Sequence, residues 1–379
     1  MKKILFVTAS RSEFGILKNI ILSTSNFSNF KSKLLVTGTH LNSKFGYTKN
    51  EINKSNISRV ISIKIKMGKT SGTNSCNIAS EMIKKIGALL SKNQPDSVVL
   101  FGDRFEILAI AYACFLQKIP IMHIGGGETT EGSNDESIRH AVSKLASFHF
   151  VSHKIHKERL LQMGENKKRV FIIGSPGIEN IRKIKLMSKL NLEKELKIKF
   201  LKNNFVVNFY PLTNHIGKEK KHIKILLKAL TKFKSARIIF TLPAFDIGSD
   251  IIINEIKKYV KNNKNSYFYK SLGSLKYLSL LKYSNLILGN SSSGLIEAPI
   301  IGTKVINIGD RQKGRIKPKE VINIKCVEKD IVRSIKYALR KKILYKNIYP
   351  KINSSKKFTQ ILKSLKFENV LIKKFIDFK

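Results

Sequence analysis

The stretch that decides the fold runs Ser97-Val-Val-Leu-Phe101-Gly102-Asp103-Arg104-Phe105-Glu106, passes through the apolar run Ile107–Leu116, and resumes as Pro120-Ile-Met-His123-Ile-Gly125-Gly-Gly-Glu128. It closes on Thr-Thr-Glu131-Gly-Ser-Asn-Asp135-Glu136-Ser-Ile-Arg139-His140. Short apolar runs bounded by turn residues read as buried strands, here Ser97–Phe101 and Pro120–Ile124, with a helix between them. Strand, helix, strand in that order means a parallel pair. In an open parallel sheet the carboxyl ends of neighbouring strands share a crevice where ligands bind. Asp103, Glu128, Asp135 and Glu136 are therefore expected together in one cleft. Carboxylates held close repel, so at least one pKa should rise, and that suits acid–base chemistry.

The same alternation extends in both directions. Upstream lie strands Lys3–Thr8, Lys33–Thr37 and Val60–Ile65, and a helix over Asn74–Lys92. Downstream, helix Asp135–Leu145 leads to strand Phe148–Val151, helix His153–Met163 and strand Val170–Ile173. Gly174-Ser-Pro-Gly177 breaks the pattern, and the lysine-rich segment Ile178–Lys202 reads as helical. A second series follows, with strands Phe205–Phe209, Arg237–Thr241, Ser266–Tyr269, Asn285–Leu288, Lys304–Ile308 and Val321–Ile324. The expectation is an α/β protein of two doubly wound parallel-sheet domains facing a cleft. Residues 1–177 form the N-terminal α/β domain with the acid cluster, and 178–355 the C-terminal nucleotide-binding domain. Residues 356–379, with a helix Lys356–Lys374, pack back toward the first domain.

A chain of 379 residues suits two domains of about 150–200 residues each. Lys+Arg 71 against Asp+Glu 26 leaves a formal net charge of +45. Such a charge suggests a polyanion partner, yet the lysines are scattered, with no arginine stripe or aromatic platform, so no nucleic-acid partner is expected. A phosphorylated small substrate would still profit from the positive field. Cys76, Cys114 and Cys326 have no disulfide spacing and fit a reducing cytosol. The apolar start of the chain is cut short at Thr8–Glu13, and Ile107–Leu116 is about half the length of a membrane span, so a cytoplasmic protein is expected.

Further chemistry sits at other strand ends. Arg11 follows the first strand, where a guanidinium and backbone N–H groups can meet a phosphate. Gly289-Asn-Ser-Ser-Ser-Gly294 precedes Leu-Ile-Glu297, an arrangement of small residues at a helix N-terminus that cradles phosphate, with Glu297 one turn on to take a ribose diol. The plain alternative is a capping serine with a first-turn glutamate. Gly309-Asp310-Arg311-Gln312-Lys-Gly-Arg315 ends the next strand. No G-x-G-x-x-G follows the first strand, which argues against a dinucleotide site. His149, His153 and His156 lack a matching carboxylate, so no metal site is expected, and no cofactor.

These segments resemble the hydrolysing UDP-N-acetylglucosamine 2-epimerases of sialic acid synthesis and their sister enzymes acting on nucleotide-linked diacetylbacillosamine in legionaminic acid synthesis. The matching residues are Arg11–Gly15, Gly102–Glu106, His123–His140, Gly174–Gly177, Gly289–Glu297 and Gly309–Arg315. The resemblance implies a glycosyltransferase-B-like fold, a nucleotide-sugar substrate and a homo-oligomer, dimer or tetramer. It implies anti elimination of UDP to 2-acetamidoglucal, followed by hydration to N-acetylmannosamine. Asp103, Glu128 and Asp135 would carry the proton transfers, with Arg139 and His140 orienting them. Arg11 and Arg311 would meet the diphosphate, Ser291 and Ser292 its oxygens, and Glu297 the ribose. Glu13, His40, Arg104, His123, His215, Ser293 and Arg315 complete the expected substrate-binding set. Two positions depart from the family pattern. Gly125 stands where many relatives carry an acid after His-Ile. Tyr210-Pro-Leu-Thr213, with His215 two residues on, replaces His-Pro-Val-Thr. A glycosyltransferase of the same fold and a polyanion-binding protein stay open as alternatives.

Overall fold

A computed structural model of the chain describes residues 1–212, 217–243 and 245–377. By its contacts the chain forms two compact units. The first comprises Met1–Glu128, Asp135–Asn180 and Tyr349–Lys379, the second Thr129–Asn134 and Ile181–Ile348. The first unit thus runs to Asn180 rather than residue 177 and regains the chain from Tyr349 rather than 356. The short segment Thr129–Asn134 belongs to the second unit, which nothing in its sequence announces.

The first unit alternates strands and helices from its start: β1 (Lys2–Thr8), α1 (Arg11–Ser25), β2 (Phe30–Val36), α2 (Lys49–Asn53), β3 (Val60–Ser62) and α3 (Gly72–Asn93). It continues with β4 (Ser97–Phe101), α4 (Phe105–Leu116), β5 (Ile121–Ile124), α5 (Asp135–Leu145), β6 (Phe148–Val151), α6 (Lys154–Gln162), β7 (Val170–Ile172) and α7 (Pro176–Lys183). The strands make one parallel sheet in the order β3-β2-β1-β4-β5-β6-β7. Both faces are covered, which is why these strands read as unbroken apolar runs. The order reverses between β1 and β4, and that switch point places the loops after them side by side.

The second unit repeats the scheme with α8 (Lys189–Leu196), β8 (Asn203–Asn208), α9 (Glu219–Leu230), β9 (Ala236–Thr241), α10 (Ser249–Asn262), β10 (Ser266–Tyr269) and α11 (Gly273–Lys282). Then come β11 (Leu286–Gly289), α12 (Ser292–Ile301), β12 (Lys304–Ile308), β13 (Ile322–Ile324) and α13 (Glu328–Arg340). Its parallel sheet runs β10-β9-β8-β11-β12-β13, with a switch point between β8 and β11. One core packs Phe205, Phe240, Ile252 and Ile335, and a second packs Leu192, Val206, Ile287 and Leu295.

The closing helix α14 (Ser354–Ser364) returns to the first unit, where Phe358 and Leu362 join the core of Phe6, Leu17 and Phe150. The helix expected over Lys356–Lys374 is therefore shorter. It stops at Leu365, and Asn369 sits at φ 55, a left-handed conformation that no helix continues through. The segment Ile178–Lys202 is likewise not one helix but α7 and α8 with a break between them. Among the described residues no helix is long and apolar enough to cross a membrane.

Candidate active site

In the first unit, β4 ends at Phe101 and turns through Gly102 at φ +88, so the next side chain, Asp103, is presented at the switch point. Arg139, on α5, is fully buried and reaches it: Nη2 donates to the Asp103 carboxylate. Nη1 donates to the Glu128 carbonyl at 2.9 Å and to the Glu136 carboxylate at 2.7 Å. The other Glu136 oxygen meets His140 Nε2 at 3.1 Å. The remaining His140 ring nitrogen is buried without a hydrogen-bond partner among the described residues. Asp135 opens α5 beside Glu136, where the helix N-terminus favours negative charge. Of the four acids expected together, Asp103, Glu136 and, through its backbone carbonyl, Glu128 thus meet on one buried guanidinium. Burial alone would lower the Arg139 pKa, but Asp103, then Glu128 and Glu136, more than reverse that and hold it firmly protonated.

An upward pKa shift falls on Glu13, which is not one of the four acids among which one was expected. It is pushed up to about 7, burial being the main cause and Glu106 adding to it. Its oxygens accept from Ala9 N–H at 2.7 Å and Ser10 Oγ at 2.9 Å, closing the N-terminus of α1. Arg104 turns to Glu106, with Nε and Nη2 each at 3.2 Å from its carboxylate. Arg11, half-buried, is the first residue of α1.

Two candidate histidines lie inside the protein. His123 donates from Nε2 to the Gly102 carbonyl at 2.8 Å, so its Nδ1 accepts from Ser143 Oγ at 3.1 Å. Burial pushes its pKa down to about 3, leaving a neutral ring. His40 sits between Thr8 Oγ1 at 2.9 Å and Thr48 Oγ1 at 2.8 Å, and burial lowers it to about 4. With no exposed edge and both nitrogens engaged, these rings fix loops rather than reach a ligand. Similarly, His149 binds Glu165, His153 caps α6 and His156 meets Ser152, each with its own local partner.

In the second unit, Gly289 ends β11 at φ +138, and a Cβ there would lie 1.8 Å from the Asn208 carbonyl oxygen, so only glycine fits. The chain then enters α12 with Ser291 as N-cap, its Oγ accepting from Ser293 N–H at 3.3 Å. Ser292 and Glu297 are half-buried on α12. Ser293 is turned inward, its Oγ 2.6 Å from Tyr277 OH, which also donates to Asn208 at 3.1 Å. Asn290 pins Tyr210 through both backbone groups at 2.8 Å. Arg311 stacks its guanidinium 5.1 Å from the centre of the Tyr210 ring, and Gln312 donates to the Asn290 carbonyl at 3.2 Å. Arg315 is half-buried four residues on. The arginine turn is braced by the segment 129–134. Glu131 N–H donates to Lys313 O at 3.0 Å, Lys313 pairs with the Glu131 carboxylate at 3.0 Å, and Gly132 packs against the Asp310 carbonyl. Tyr277 is not singled out in the sequence, and Tyr210 only as a departure from the family pattern; the parallel pairing of β8 and β11 is what brings Tyr210 beside Asn290. His215 lies outside the described residues.

The UDP-N-acetylglucosamine 2-epimerase family matches residues 23–363. The chain belongs to that family. It is 40% identical over 324 residues to the Campylobacter jejuni GDP/UDP-N,N'-diacetylbacillosamine 2-epimerase (hydrolyzing), covering 85% of this chain and 84% of that one. It is 37% identical to the Escherichia coli polysialic acid biosynthesis protein P7, covering 100% of this chain and 98% of the other. Among solved structures, the Neisseria meningitidis UDP-GlcNAc 2-epimerase bound to UDP-GlcNAc aligns with a TM-score of 0.79 at 21% identity, over 96% of this chain and 100% of that one. The fold is accordingly glycosyltransferase-B-like, and the chain is an enzyme of the hydrolysing nucleotide-sugar 2-epimerase class.

Proposed function

We propose that the chain hydrolyses and inverts, at C2, a nucleotide-linked 2-acetamido sugar, with UDP- or GDP-N,N'-diacetylbacillosamine as the first candidate. The family resemblance read from the sequence puts UDP-N-acetylglucosamine first, though the motifs do not separate the two sugars. The 40% identity to a diacetylbacillosamine enzyme reverses that order, and the family's own description supports UDP-N-acetylglucosamine as the second reading. The observation that carries the chemistry is the buried Arg139 gathering Asp103, Glu136 and the Glu128 backbone.

In the proposed reaction a carboxylate removes the C2 proton while the C1–O bond to the nucleotide breaks, giving the 2-acetamido glycal and free nucleotide. Water then adds across the double bond: its oxygen bonds C1, and a proton returned to C2 from the opposite face gives the manno-configured product. Asp103, Glu128 and Asp135 are assigned these transfers. Arg139 fixes their spacing, and His140 lends its free nitrogen beside Glu136. Ser291, Ser292 and the N-terminus of α12 take the diphosphate with Arg311, Arg315 and Arg11, while Glu297 takes the ribose. Glu13, Arg104, His40, His123 and Ser293 are assigned to holding these loops in place. The same reading includes a cytoplasmic homo-oligomer, dimer or tetramer, which light scattering on the purified chain would measure. Nucleotide sugar incubated with the protein in deuterated water provides the main test. Free nucleotide and a C2-deuterated manno-configured sugar, read by NMR, are expected; an intact nucleotide sugar from every substrate tried would sink the proposal.

A further inference from the structure

Beyond α14 the chain wraps the first unit as a strap. The Phe367 ring packs edge-on to Phe148 at 6.1 Å, and the Arg169 guanidinium donates to the carbonyls of Val370 at 2.8 Å and Ile372 at 3.3 Å. The Ile376 N–H donates to Gly164 O at 3.1 Å. Phe375 lies flat on Gly164, where any Cβ would come within 2.5 Å of the ring. Between these anchors Lys373 turns inward. Its Nζ donates to the carbonyls of Ser143 at 3.3 Å, Lys144 at 2.9 Å and Ala146 at 2.7 Å, and to the Glu165 carboxylate at 2.9 Å. Glu165 is 2% exposed and also holds His149 Nε2 at 2.9 Å and Lys144 Nζ at 3.0 Å.

The carbonyls that Lys373 meets are at the C-terminal end of α5, where a helix leaves its last acceptors unpaired and its dipole favours a cation. Burying an ammonium is costly unless it is paired, and here four acceptors surround it. Burial draws the Lys373 amine downward and Glu165 opposes that; the pair is charged, because Glu165 has three donors upon it. The helix so capped is the one that carries Asp135, Glu136, Arg139 and His140. Ser143 stands one turn beyond Arg139 and also bonds His123, whose other nitrogen holds the carbonyl of Gly102, next to Asp103.

We infer that Lys373 is a positioning residue for the epimerase reaction: the C-terminal strap caps α5 and sets Arg139 in register with Asp103. An error of about 1 Å in such a constellation costs on the order of 10²-fold in rate. The activity arm of the test rests on the proposed reaction. Lys373→Met keeps the stem and removes the cation. It is expected to lower kcat tenfold or more with KM within twofold, and Lys373→Arg should recover much of the loss. Hydrogen exchange should quicken at 102–106 and 135–146 as well as in the strap. Phe375→Ala, which loosens the strap and removes the ring under Lys144 while leaving Lys373 and Glu165 in place, should shift both readouts the same way by less, and decides the matter if the Met variant does not fold. Unchanged kcat and unchanged exchange over 135–146 in a variant whose strap has loosened would overturn the inference. So would equal damage in the Arg and Met variants with exchange raised uniformly across the unit. If the wild type turns over no nucleotide sugar, the reaction assignment fails, while the exchange pattern still decides whether the strap governs α5.

Discussion

Arg139 changes what each neighbouring carboxylate can do. A buried guanidinium with Asp103 and Glu136 upon it neutralises the repulsion that these two acids would otherwise create and holds both in place. Replacing Asp103 by Asn keeps the shape and an acceptor for Arg139 but removes the negative charge and, on the proposed assignment, a base. Glu128 contributes its carbonyl to Arg139, and its charge helps to hold that guanidinium protonated. Asp103→Asn and Glu128→Gln are each expected to cut kcat by about 10²-fold or more while UDP still binds in calorimetry. Glu136→Gln should do much less, since an amide oxygen still accepts from Arg139. Near-normal turnover in Glu128→Gln would remove that residue from the mechanism. Gly125, where the resemblance leads one to expect an acid, is informative for a backbone reason. Its φ is +93 and the nearest atom to an added Cβ, in Phe101, is 3.5 Å away, so there is room but the conformation disfavours any other residue. Gly125→Glu is therefore expected not to restore Glu128→Gln, and recovery to within tenfold of wild type would contradict it. The order of strands and helices brings Asp103 and the start of α5 to one crevice, but that Arg139 is the buried group joining Asp103, Glu136 and the Glu128 carbonyl is seen only in the folded chain.

At the scale of elements, the strands were legible because parallel strands buried on both faces are written as plain apolar runs. What was hidden is where helices stop and which polar side chains turn inward. The end of α14, the break between α7 and α8, and the inward turn of Ser293 toward Tyr277 all depend on contacts distant in sequence. The N-terminus of α1 gives a test. Glu13 has a folded pKa of about 7 against an ordinary 4.5, so the folded state binds the proton more tightly than the unfolded one. Its contribution is therefore present below pH 4.5 and is lost as pH rises through 7. The shift corresponds to about 3 kcal/mol at 1.36 kcal/mol per unit. Buried His40 and His123, lowered to about 4 and about 3, act oppositely, losing stability as pH falls below the ordinary histidine range. The difference between wild type and Glu13→Gln isolates the carboxyl: in denaturant titrations the variant should gain on wild type between pH 4.5 and 7. A flat difference would show that Glu13 is ionised in the fold. At α12 and its neighbouring turn, Arg311→Ala should weaken UDP binding by about 1.5–3 kcal/mol with the fold intact. Ser293→Ala should weaken it less, because its hydroxyl is already spent on Tyr277. Unchanged UDP affinity in Arg311→Ala would move the diphosphate elsewhere.

For the whole molecule, two parallel-sheet units followed from the alternation of apolar runs and turns. The exchange of Thr129–Asn134 into the second unit did not, because a polar loop carries no mark of the surface it meets. The property of the whole chain that the sequence stated most loudly is its formal net charge of +45. The carboxylates are largely committed: Glu165, Glu328, Glu131 and Glu136 each pair with cations, so the surplus is on lysine and arginine. A nucleotide sugar carries a diphosphate, and a protein this positive attracts it from a distance at low salt. The Debye length falls from about 30 Å at 0.01 M to about 8 Å at 0.15 M ionic strength, so steering should fade over that range. The residues proposed for the chemical step are buried or half-buried, where salt screens far less. The expectation is a kcat/KM that falls several-fold as sodium chloride rises from about 0.01 M to about 0.2 M, with kcat unchanged. A salt-independent kcat/KM would show that the charge has no part in capture. A kcat falling in parallel would instead place the screened charges within the reacting site itself, and Arg11, Arg311 and Arg315 would be the ones to replace first.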